Sequence, residues 1–500
     1  MNYISTRGYK TKASPSEAIR AGIAPDGGLY VPESIPVLSN DELLGLYNKK
    51  YQQIAQYILE KYLTDFDEKE LTHCVSKAYN FHTFFTPLIC PLRPLTDTML
   101  LLELWHGPTC AFKDLALQLL PHMLTAAVKK LDDPSTLVIL VATSGDTGKA
   151  ALEGFKNVPG TKIIVFYPQD GVSEIQKLQM VTQEGNNVHV IGVNGNFDHA
   201  QTGVKEIFND KAIGKQLNQQ GYKLTSANSI NWGRLLPQIV YYFSSYINLL
   251  KSSHIKFGDK INICVPTGNF GNIMAAYYAK RMGLPINKLI IATNQNNVLV
   301  RFLRTGIYDI NREIKTTISP SMDILISSNF ERLLFELSDH NSEEVSGFMD
   351  QLKHSGSYKV SNTLLKKIKS EFVADFTSER NTLRMIKDTY NKYKYVIDPH
   401  TAVGLHVYQK YARRSKDLSK TVIASTASPY KFNQSVMKAL VGPNSTAEKS
   451  EFELLNLLSV TTKTLIPNQL KDLNKKPVLH DSTCKKDEMK KFVKNILKVE

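Results

Sequence analysis

One lysine lies in a setting where burial would change its chemistry. Lys113 follows a phenylalanine and several small residues in the segment 106–114, and an apolar helical stretch begins at Leu115. Burial disfavours an ammonium ion, so an amine at the start of a buried helix has a lowered pKa and can form a Schiff base and carry protons. Most lysines are solvated and do neither, so the segment alone makes Lys113 only a candidate.

Two strand-to-helix turns have the composition of anion-binding loops. The first is Thr-Ser-Gly-Asp-Thr-Gly at 143–148, where hydroxyls and free backbone N–H groups at a helix N-terminus suit a carboxylate. The second is Pro-Thr-Gly-Asn-Phe-Gly-Asn at 266–272, where two glycines let the backbone come close to a phosphate. Each is also compatible with an ordinary capped or tight turn.

Two further polar segments are candidates for ligand contacts. Ser-Ala-Asn-Ser-Ile-Asn-Trp-Gly-Arg at 226–234 ends in Arg234, whose planar guanidinium suits a phosphate, although the segment also fits a helix cap with a surface ion pair. The strand beginning at Thr421 ends in the hydroxyls of Ser425 and Thr426. A hydroxyl at the carboxyl end of a central strand can face a heteroaromatic nitrogen, or it can cap the next helix.

Motifs that the sequence lacks narrow the classes of function. Neither G-x-x-x-x-G-K-[ST] nor G-x-G-x-x-G occurs, which argues against a P-loop kinase and a Rossmann dehydrogenase. The five cysteines are scattered without a C-x-x-C pair, so neither a zinc site nor a disulfide framework is expected and a reducing compartment fits. No metal is expected.

The elements that must position these residues alternate along the chain. Short apolar, β-branched runs are each followed by a turn signal and a helix-period stretch, which is typical of βαβ units and a parallel sheet covered by helices on both faces. The predicted fold class is therefore α/β. The predicted strands are 137–142, 162–167, 188–193, 261–265, 288–292 and 421–424.

Length and charge set the remaining limits. A chain of 500 residues should form two to four structural units. The net charge of +14 comes largely from lysines dispersed on late helices, unlike the concentrated basic stripe of a nucleic-acid binder, so no nucleic-acid partner is expected. No apolar run of about 18 residues and no signal peptide is evident, so we expect no membrane association and a cytoplasmic protein.

Taken together and in this order, the motifs resemble those of the threonine synthase family, pyridoxal-phosphate enzymes of the tryptophan-synthase β-chain fold type. The resemblance extends from Asn2 to beyond Phe432. It rests on the segments 3–8, 24–32, 106–109, 112–114, 142–148, 226–231 and 268–271. It implies a small and a large α/β domain with the cofactor between them, an N-terminal helical part and a C-terminal helical cover.

The resemblance also implies domain bounds. We expect a mostly helical part at 1–92, an entry segment with the Schiff-base lysine at 93–120 and a small α/β domain at 121–215. A large pyridoxal-phosphate-binding domain is expected at 216–445, with a polar helical insertion near 341–394, and a helical cover at 446–500. The absence of a coiled coil or an apolar stripe leads us to expect a monomer or a weak homo-oligomer.

The roles of individual residues follow from the same resemblance. Lys113 matches the Schiff-base lysine, and Thr426, with Ser425 as the alternative, matches the hydroxyl that meets the pyridine nitrogen. The loop that holds the cofactor phosphate corresponds to Gly268, Asn269, Phe270, Gly271 and Asn272. Asp146 is expected near the cofactor, and the residues expected to bind substrate are Ser144, Thr147, Asn228, Ser229 and Arg234.

Two positions depart from the family pattern. Asn272 stands where some relatives have aspartate, which removes a negative neighbour from the phosphate. Ser428 stands where some relatives have histidine, so no role of that histidine transfers to this chain.

The reaction that the resemblance implies is conversion of O-phospho-L-homoserine and water to L-threonine and phosphate by a β,γ-replacement. Two alternatives are open. One is a related lyase that stops after phosphate elimination and releases 2-oxobutyrate, and the other is a non-catalytic protein that binds a phosphate ligand. Products of the reaction separate the first alternative, and visible absorbance of the purified protein separates the second.

Overall fold

The computed structural model describes residues 1–143, 145–170 and 172–499, which form two mainly parallel sheets surrounded by helices and two small antiparallel sheets of two strands each. The strands are β1 (Tyr3–Ser5), β2 (Tyr30–Pro32), β3 (Leu92–Pro94), β4 (Met99–Glu103), β5 (Thr136–Ala142), β6 (Thr161–Pro168), β7 (Val188–Val193), β8 (Tyr222–Thr225), β9 (Ile261–Pro266), β10 (Ile286–Thr293), β11 (Ile307–Asp309), β12 (Ser357–Lys359), β13 (Phe372–Phe376), β14 (Thr421–Ser425) and β15 (Thr483–Cys484).

The α-helices cover both faces of these sheets and form the N-terminal part. They are α1 (Pro15–Ala21), α2 (Asn40–Gly45), α3 (Tyr51–Tyr62), α4 (Glu68–Ala78), α5 (Lys113–Leu117), α6 (Leu120–Lys130), α7 (Asp146–Phe155), α8 (Glu174–Val181), α9 (Phe197–Asn209), α10 (Lys211–Gln219), α11 (Trp232–Lys251), α12 (Gly271–Arg281), α13 (Val298–Thr305), α14 (Phe330–Leu337), α15 (Ser342–Ser355), α16 (Asn362–Glu371), α17 (Glu379–Tyr393), α18 (Pro399–Ser415), α19 (Asn433–Val441), α20 (Glu451–Thr462) and α21 (Met489–Leu497).

The large sheet has six strands and the small sheet has five, and both consist mainly of parallel strands. The large sheet has the order β13-β10-β9-β14-β4-β3, with β3 antiparallel to β4 and the other pairs parallel. The small sheet has the order β15-β7-β6-β5-β8 and is parallel throughout. The predicted α/β class, with one small and one large parallel sheet, is confirmed.

All six predicted strands are present, and each lies in one of these two sheets. The first three correspond to β5, β6 and β7, and the other three to β9, β10 and β14. Their apolar runs were readable because strands buried on both faces are continuously hydrophobic. β5 and β9 lead directly into the two predicted anion-binding turns.

In these two sheets the sequence did not predict the inner strand β4, although it is fully buried, or the edge strands β3, β8, β13 and β15. The segment 341–394, expected to be helical, contains α15, α16 and α17 but also supplies β13, an edge strand of the large sheet. The segment 446–500, expected to be a helical cover, contains α20 and α21 and also β15, which pairs with β7. Edge strands are short and partly solvated, so they lack the continuous apolar run of an inner strand.

Helix α11 is the central helix of the core. It packs against α3 of the N-terminal part, against α5 and against α12, and nearly every residue of it is buried. Its burial extends to polar side chains such as Arg234 and Gln238. Although α11 is 20 residues long, no helix in the described ranges combines the length and hydropathy needed to cross a bilayer.

Close packing of α5 on α7 gives a first prediction. A Cβ added at Gly154 in α7 would overlap the carbonyl oxygen of Leu117 in α5. We expect Gly154→Ala to destabilise the protein by about 1–3 kcal/mol, because backbone cannot move aside as a side chain can. Gly214→Ala in α10 is the matched control, since no atom lies within 4 Å of its added Cβ, and it should stabilise by about 0.5–1 kcal/mol. Urea unfolding of both variants measures the difference, and equal midpoints would contradict it.

Candidate active site

Lys113 begins helix α5 directly beside the end of strand β14. The backbone N–H of Phe112 donates to the carbonyl oxygen of Thr426 at 2.8 Å, and Ala111 and Ala427 form an antiparallel bridge. Since β14 is an inner strand of the large sheet, these contacts hold the lysine at the carboxyl edge of that sheet. Two segments that the sequence singled out separately therefore meet.

A buried carboxylate lies between two lysine amines. Asp146 Oδ1 is 2.7 Å from the Nζ of Lys431, and Asp146 Oδ2 is 3.9 Å from the Nζ of Lys113. The side chain of Lys431 is fully buried and that of Lys113 is 14% exposed. Burial opposes ionisation of Asp146, but the charges of Lys431 and Lys113 outweigh it and hold the pKa of this carboxyl well below its usual range.

The same surroundings favour the neutral form of the Lys113 amine. Burial lowers the pKa of Lys113 to about 8, with attraction from Asp146 opposing the shift and repulsion from Lys431 and Arg234 adding to it. At pH 7 an amine with that pKa is neutral in about one molecule in ten, against about one in three thousand for an ordinary lysine. The neutral amine of Lys113 can therefore act both as the nucleophile that forms a Schiff base and as a proton acceptor.

The turn at 143–148 is built around one threonine. Thr143 Oγ1 accepts hydrogen bonds from two backbone N–H groups of the turn, at 3.0 and 2.9 Å. The carboxylate of Asp146 is turned towards the two lysines, and the amide of Gln176 donates to it at 3.1 Å. Thr147 is half-buried in the first turn of α7. Ser144, predicted to bind a substrate carboxylate, lies outside the described residues.

The loop after β9 is held in shape by a neighbouring segment. Ser327 Oγ donates to the carbonyl oxygen of Gly268 at 2.6 Å, and Asn329 donates to the carbonyl oxygen of Asn269 through its backbone N–H at 3.1 Å and its side chain at 3.0 Å. Phe270, rather than either glycine, adopts the left-handed conformation, with φ 66°. These hydrogen bonds engage the carbonyl oxygens of the loop. The N–H groups of the loop and of the first turn of α12 are therefore available to a ligand.

Asn272 carries an unpaired donor at this loop. Its Oδ1 accepts a hydrogen bond from the hydroxyl of Tyr242, while its Nδ2 is buried without a partner among the residues that the structure describes. An unpaired buried donor costs roughly 1–3 kcal/mol, which favours binding of an acceptor there. A donor of this kind beside a helix N-terminus fits the phosphate of a cofactor, and no nearby carboxylate of the loop repels it.

Arg234 is a second unpaired donor, located in the first turn of α11. It is 4% exposed, and one of its amino groups donates to the carbonyl oxygen of Ala227. Its Nε is buried without a partner, and no carboxylate within the described ranges lies within 4.0 Å of it. Burial lowers the pKa of Arg234 to about 10, which still leaves it charged at neutral pH. Asn228 and Ser229 are half-buried in the preceding turn, and their side chains make no hydrogen bond to described residues.

The two hydroxyls at the end of β14 have different surroundings. Ser425 Oγ accepts hydrogen bonds from the indole N–H of Trp105 and from Thr401 Oγ1, each at 3.1 Å. Thr426 is also buried, but its hydroxyl makes no hydrogen bond to any residue in the described part of the chain. The hydroxyl of Thr426 is therefore free for a ligand, and that of Ser425 is engaged.

Several residues of this site carried no usable signal in the sequence. Lys431 is the partner of Asp146, and His400 accepts from the backbone N–H of Ser321 at 3.2 Å while contacting Asp398 Oδ1 at 2.8 Å. Ser321 Oγ in turn reaches Asp146 at 3.5 Å. An Asp-Pro pair predicts the helix start at 398–399, but only the fold brings His400 to this site.

Family models of threonine synthases match most of the chain. "Threonine synthase N terminus" matches residues 2–79, "Pyridoxal-phosphate dependent enzyme" matches 81–351, and "Threonine synthase, C-terminal" matches 401–493. Among solved structures, a pyridoxal-phosphate-bound threonine synthase from Brucella melitensis superposes with a TM-score of 0.88 at 36% identity, covering 100% of both chains. The yeast threonine synthase structure gives a TM-score of 0.88 at 33% identity, covering 99% of both.

Two groups of curated relatives are similar to the chain. Threonine synthase of Schizosaccharomyces pombe is 39% identical, and the match covers 88% of this chain and 89% of that protein. "Threonine synthase-like 1" of Macaca fascicularis is 43% identical over 85% of this chain. The match covers only 58% of that protein, so the chain spans little more than half the length of the threonine synthase-like relatives.

The packing of the loop after β9 predicts a difference between its two glycines. A Cβ at Gly268 would overlap the backbone oxygen of Ser321, whereas a Cβ at Gly271 would lie 3.4 Å from the side-chain nitrogen of Asn329, an ordinary contact. We expect Gly268→Ala to lower retention of pyridoxal phosphate about tenfold or more, because displacing the loop costs at least one hydrogen bond to the phosphate. Gly271→Ala is the control and should retain the cofactor. Absorbance after dialysis measures both, and equal retention would show that the loop does not hold the phosphate.

Proposed function

Because this chain belongs to the threonine synthase family, we propose that it converts O-phospho-L-homoserine and water to L-threonine and phosphate. It is a pyridoxal-phosphate-dependent enzyme, and the cofactor has one phosphate. The observation that carries the proposal is a second buried, unpaired anion-binding group, Arg234, close enough to Lys113 to lower the pKa of that amine. A site with one phosphate receptor for the cofactor and another beside the reactive lysine suits a phosphorylated amino acid.

Three groups of this chain would hold the cofactor. Lys113 would link to its aldehyde, and the loop 268–272, including Asn269, Phe270 and the orphan amide of Asn272, would bind its phosphate. Thr426, rather than Ser425, would face its pyridine nitrogen, since the hydroxyl of Ser425 is already engaged. When bound, pyridoxal phosphate supplies the electron sink for a carbanion at the substrate Cα.

The Lys113 amine would move the protons of the reaction. Once it is free, its neutral form can take protons from the substrate Cα and Cβ and return protons at Cγ and Cα. Its lowered pKa leaves about one molecule in ten neutral at pH 7, far more than for an ordinary lysine. Asp146, fixed by Lys431, would remain ionised and keep the protonated amine in place.

The two ends of the substrate would be held by different loops. Arg234, with Asn228 and Ser229, would bind the substrate phosphate, because a desolvated guanidinium binds a dianion more strongly than neutral donors do. Ser144 and Thr147, with the backbone N–H groups of their turn, would bind the carboxylate. The charge of Asp146 is compensated by two lysines, which reduces its repulsion of a carboxylate bound nearby.

A related lyase activity is the second candidate. It is favoured by the similarity of this chain to proteins named threonine synthase-like. Such an enzyme would eliminate phosphate from O-phosphohomoserine but release 2-oxobutyrate instead of adding water at Cβ.

Product analysis tests the proposal against this candidate. Purified holoenzyme incubated with O-phospho-L-homoserine should release phosphate and threonine in equal amounts, because each turnover eliminates one phosphate and adds one water. Phosphate release with 2-oxobutyrate would favour the lyase. No release of phosphate from a fully loaded, yellow enzyme would contradict both enzymatic proposals.

Arg234 gives a prediction on substrate recognition. A charge-assisted hydrogen bond is worth roughly 1.5–3 kcal/mol, so Arg234→Ala should lower kcat/KM by about ten- to a hundredfold or more. Part of the loss should appear in kcat, since phosphate is the leaving group. Arg234→Lys should recover only part of the activity, because a point charge does not replace the planar fork.

Cofactor content is the control for the Arg234 variants. It should stay at the wild-type level, because the loop 268–272 and Lys113 are unchanged. A fall in bound pyridoxal phosphate, with normal kinetics of the remaining holoenzyme, would assign Arg234 to the cofactor phosphate instead.

A further inference from the structure

We propose that Lys431 is a positioning residue of this site, which holds the Asp146 carboxylate at its distance from Lys113 and so leaves the Lys113 amine free to react. The inference rests on the proposed role of Lys113 as the reactive lysine. It concerns a residue that the sequence analysis gave no role.

The side chain of Lys431 is buried and is held by two polar contacts. Lys431 lies in a short 3₁₀-helix, Pro429–Phe432, just after β14, and its side chain is fully buried. Its Nζ is 2.7 Å from Asp146 Oδ1 and donates to the carbonyl oxygen of Thr109 at 2.9 Å. A buried ammonium is costly unless it is paired, so Asp146 stabilises Lys431 in this position, and the orientation of Asp146 depends on Lys431.

This pairing decides which oxygen of Asp146 faces Lys113. Lys431 and the amide of Gln176 occupy Oδ1, at 2.7 and 3.1 Å. Oδ2 is left for Lys113 at 3.9 Å and for the hydroxyl of Ser321 at 3.5 Å. At 3.9 Å the Lys113 amine is near the carboxylate without a close hydrogen bond to it, so it can leave to react.

The charges around Lys113 come from four elements. Asp146 of α7 attracts its proton, and Asp114 of α5 does so more weakly, since that carboxylate accepts hydrogen bonds from the Thr109 backbone at 2.8 Å and hydroxyl at 2.7 Å. Lys431 of the 3₁₀-helix and Arg234 of α11 repel the proton. His400 of α18 accepts from the backbone N–H of Ser321 and contacts Asp398 Oδ1. Without Lys431, the attraction of Asp146 would act on Lys113 alone, and the ammonium form would gain.

The two members of the pair therefore have opposite effects on Lys113. Lys431→Met removes a positive neighbour and frees Asp146 to approach, so the pKa of Lys113 should rise. Asp146→Asn removes the negative neighbour and leaves Lys431 charged or displaced, so the pKa of Lys113 should fall or stay low. A purely structural role of the pair would disturb folding in both variants but would not predict opposite signs.

The test measures the amine directly, without turnover. The full chain, freed of cofactor and shown by circular dichroism to be folded, is labelled with a limiting amount of acetic anhydride from pH 6 to 11. Mass spectrometry then gives the acetylated fraction of the Lys113 peptide at each pH. The midpoint should rise by about one pH unit or more in Lys431→Met, because a charge at this range shifts a neighbour by about 1–3 units. In Asp146→Asn it should not rise.

Two variants serve as controls. Lys431→Arg keeps the charge and should leave the Lys113 midpoint close to wild type. Lys149→Met removes another amine of α7, one that is paired with Glu153 at 3.1 Å, and should not move the midpoint.

An unchanged or lowered midpoint in Lys431→Met would overturn the proposal. If Lys431→Met does not fold, a raised midpoint in Asp146→Asn would overturn it equally.

Failure here and failure of the proposed function are distinguishable. If the midpoints shift as expected but O-phosphohomoserine is not consumed, the role of Lys431 stands and the substrate is wrong. If wild type makes threonine but the midpoints do not respond, the enzyme assignment stands and Lys431 has no positioning role.

Discussion

The buried ion pair between Asp146 and Lys431 joins the two sheets of this protein. Asp146 begins α7, just beyond the end of β5 in the small sheet, and Lys431 follows β14 in the large sheet. Lys113, which follows β4 and whose neighbour Phe112 bonds to Thr426 just after β14, completes the group. A low-dielectric interior strengthens this interaction, so the relative placement of the carboxyl ends of both sheets depends on it. In α/β folds, ligands bind at such edges.

Around this pair, the site contains donors that the protein itself does not satisfy. Asn272 and Arg234 each bury a nitrogen without a partner among described residues, and the Thr426 hydroxyl is likewise free of hydrogen bonds to them. Other polar groups of the site have hydrogen-bond partners within the protein, as in the contact between His400 Nδ1 and Asp398 Oδ1 at 2.8 Å. The folded chain bears the cost of these unpaired donors, and binding of an anion-rich ligand would satisfy them. Membership of the threonine synthase family gives that ligand its chemistry: a cofactor phosphate and, in our proposal, a substrate phosphate.

The family assignment and the reaction have different support. Family models, a 39% identical threonine synthase and superposition on threonine synthase structures agree on the family and the cofactor. The substrate and its binding residues depend on local geometry, in particular on Arg234 and its neighbours Asn228 and Ser229. Because both candidate reactions eliminate phosphate, these residues do not distinguish addition of water from release of a 2-oxo acid, whereas product analysis does.

The sequence by itself determined the parts of this protein that local pattern controls. Continuous apolar runs located β5, β6, β7, β9, β10 and β14, and the turns after β5 and β9 were recognisable from glycines and hydroxyls at strand-to-helix junctions. The tertiary structure decided what depends on distance in space. It paired Lys431 with Asp146, engaged Ser425 while leaving Thr426 free, and recruited β13 and β15 as edge strands. Strand periodicity is written within a few residues, whereas charge pairing, burial and edge pairing join segments far apart in the chain, and no local pattern encodes them.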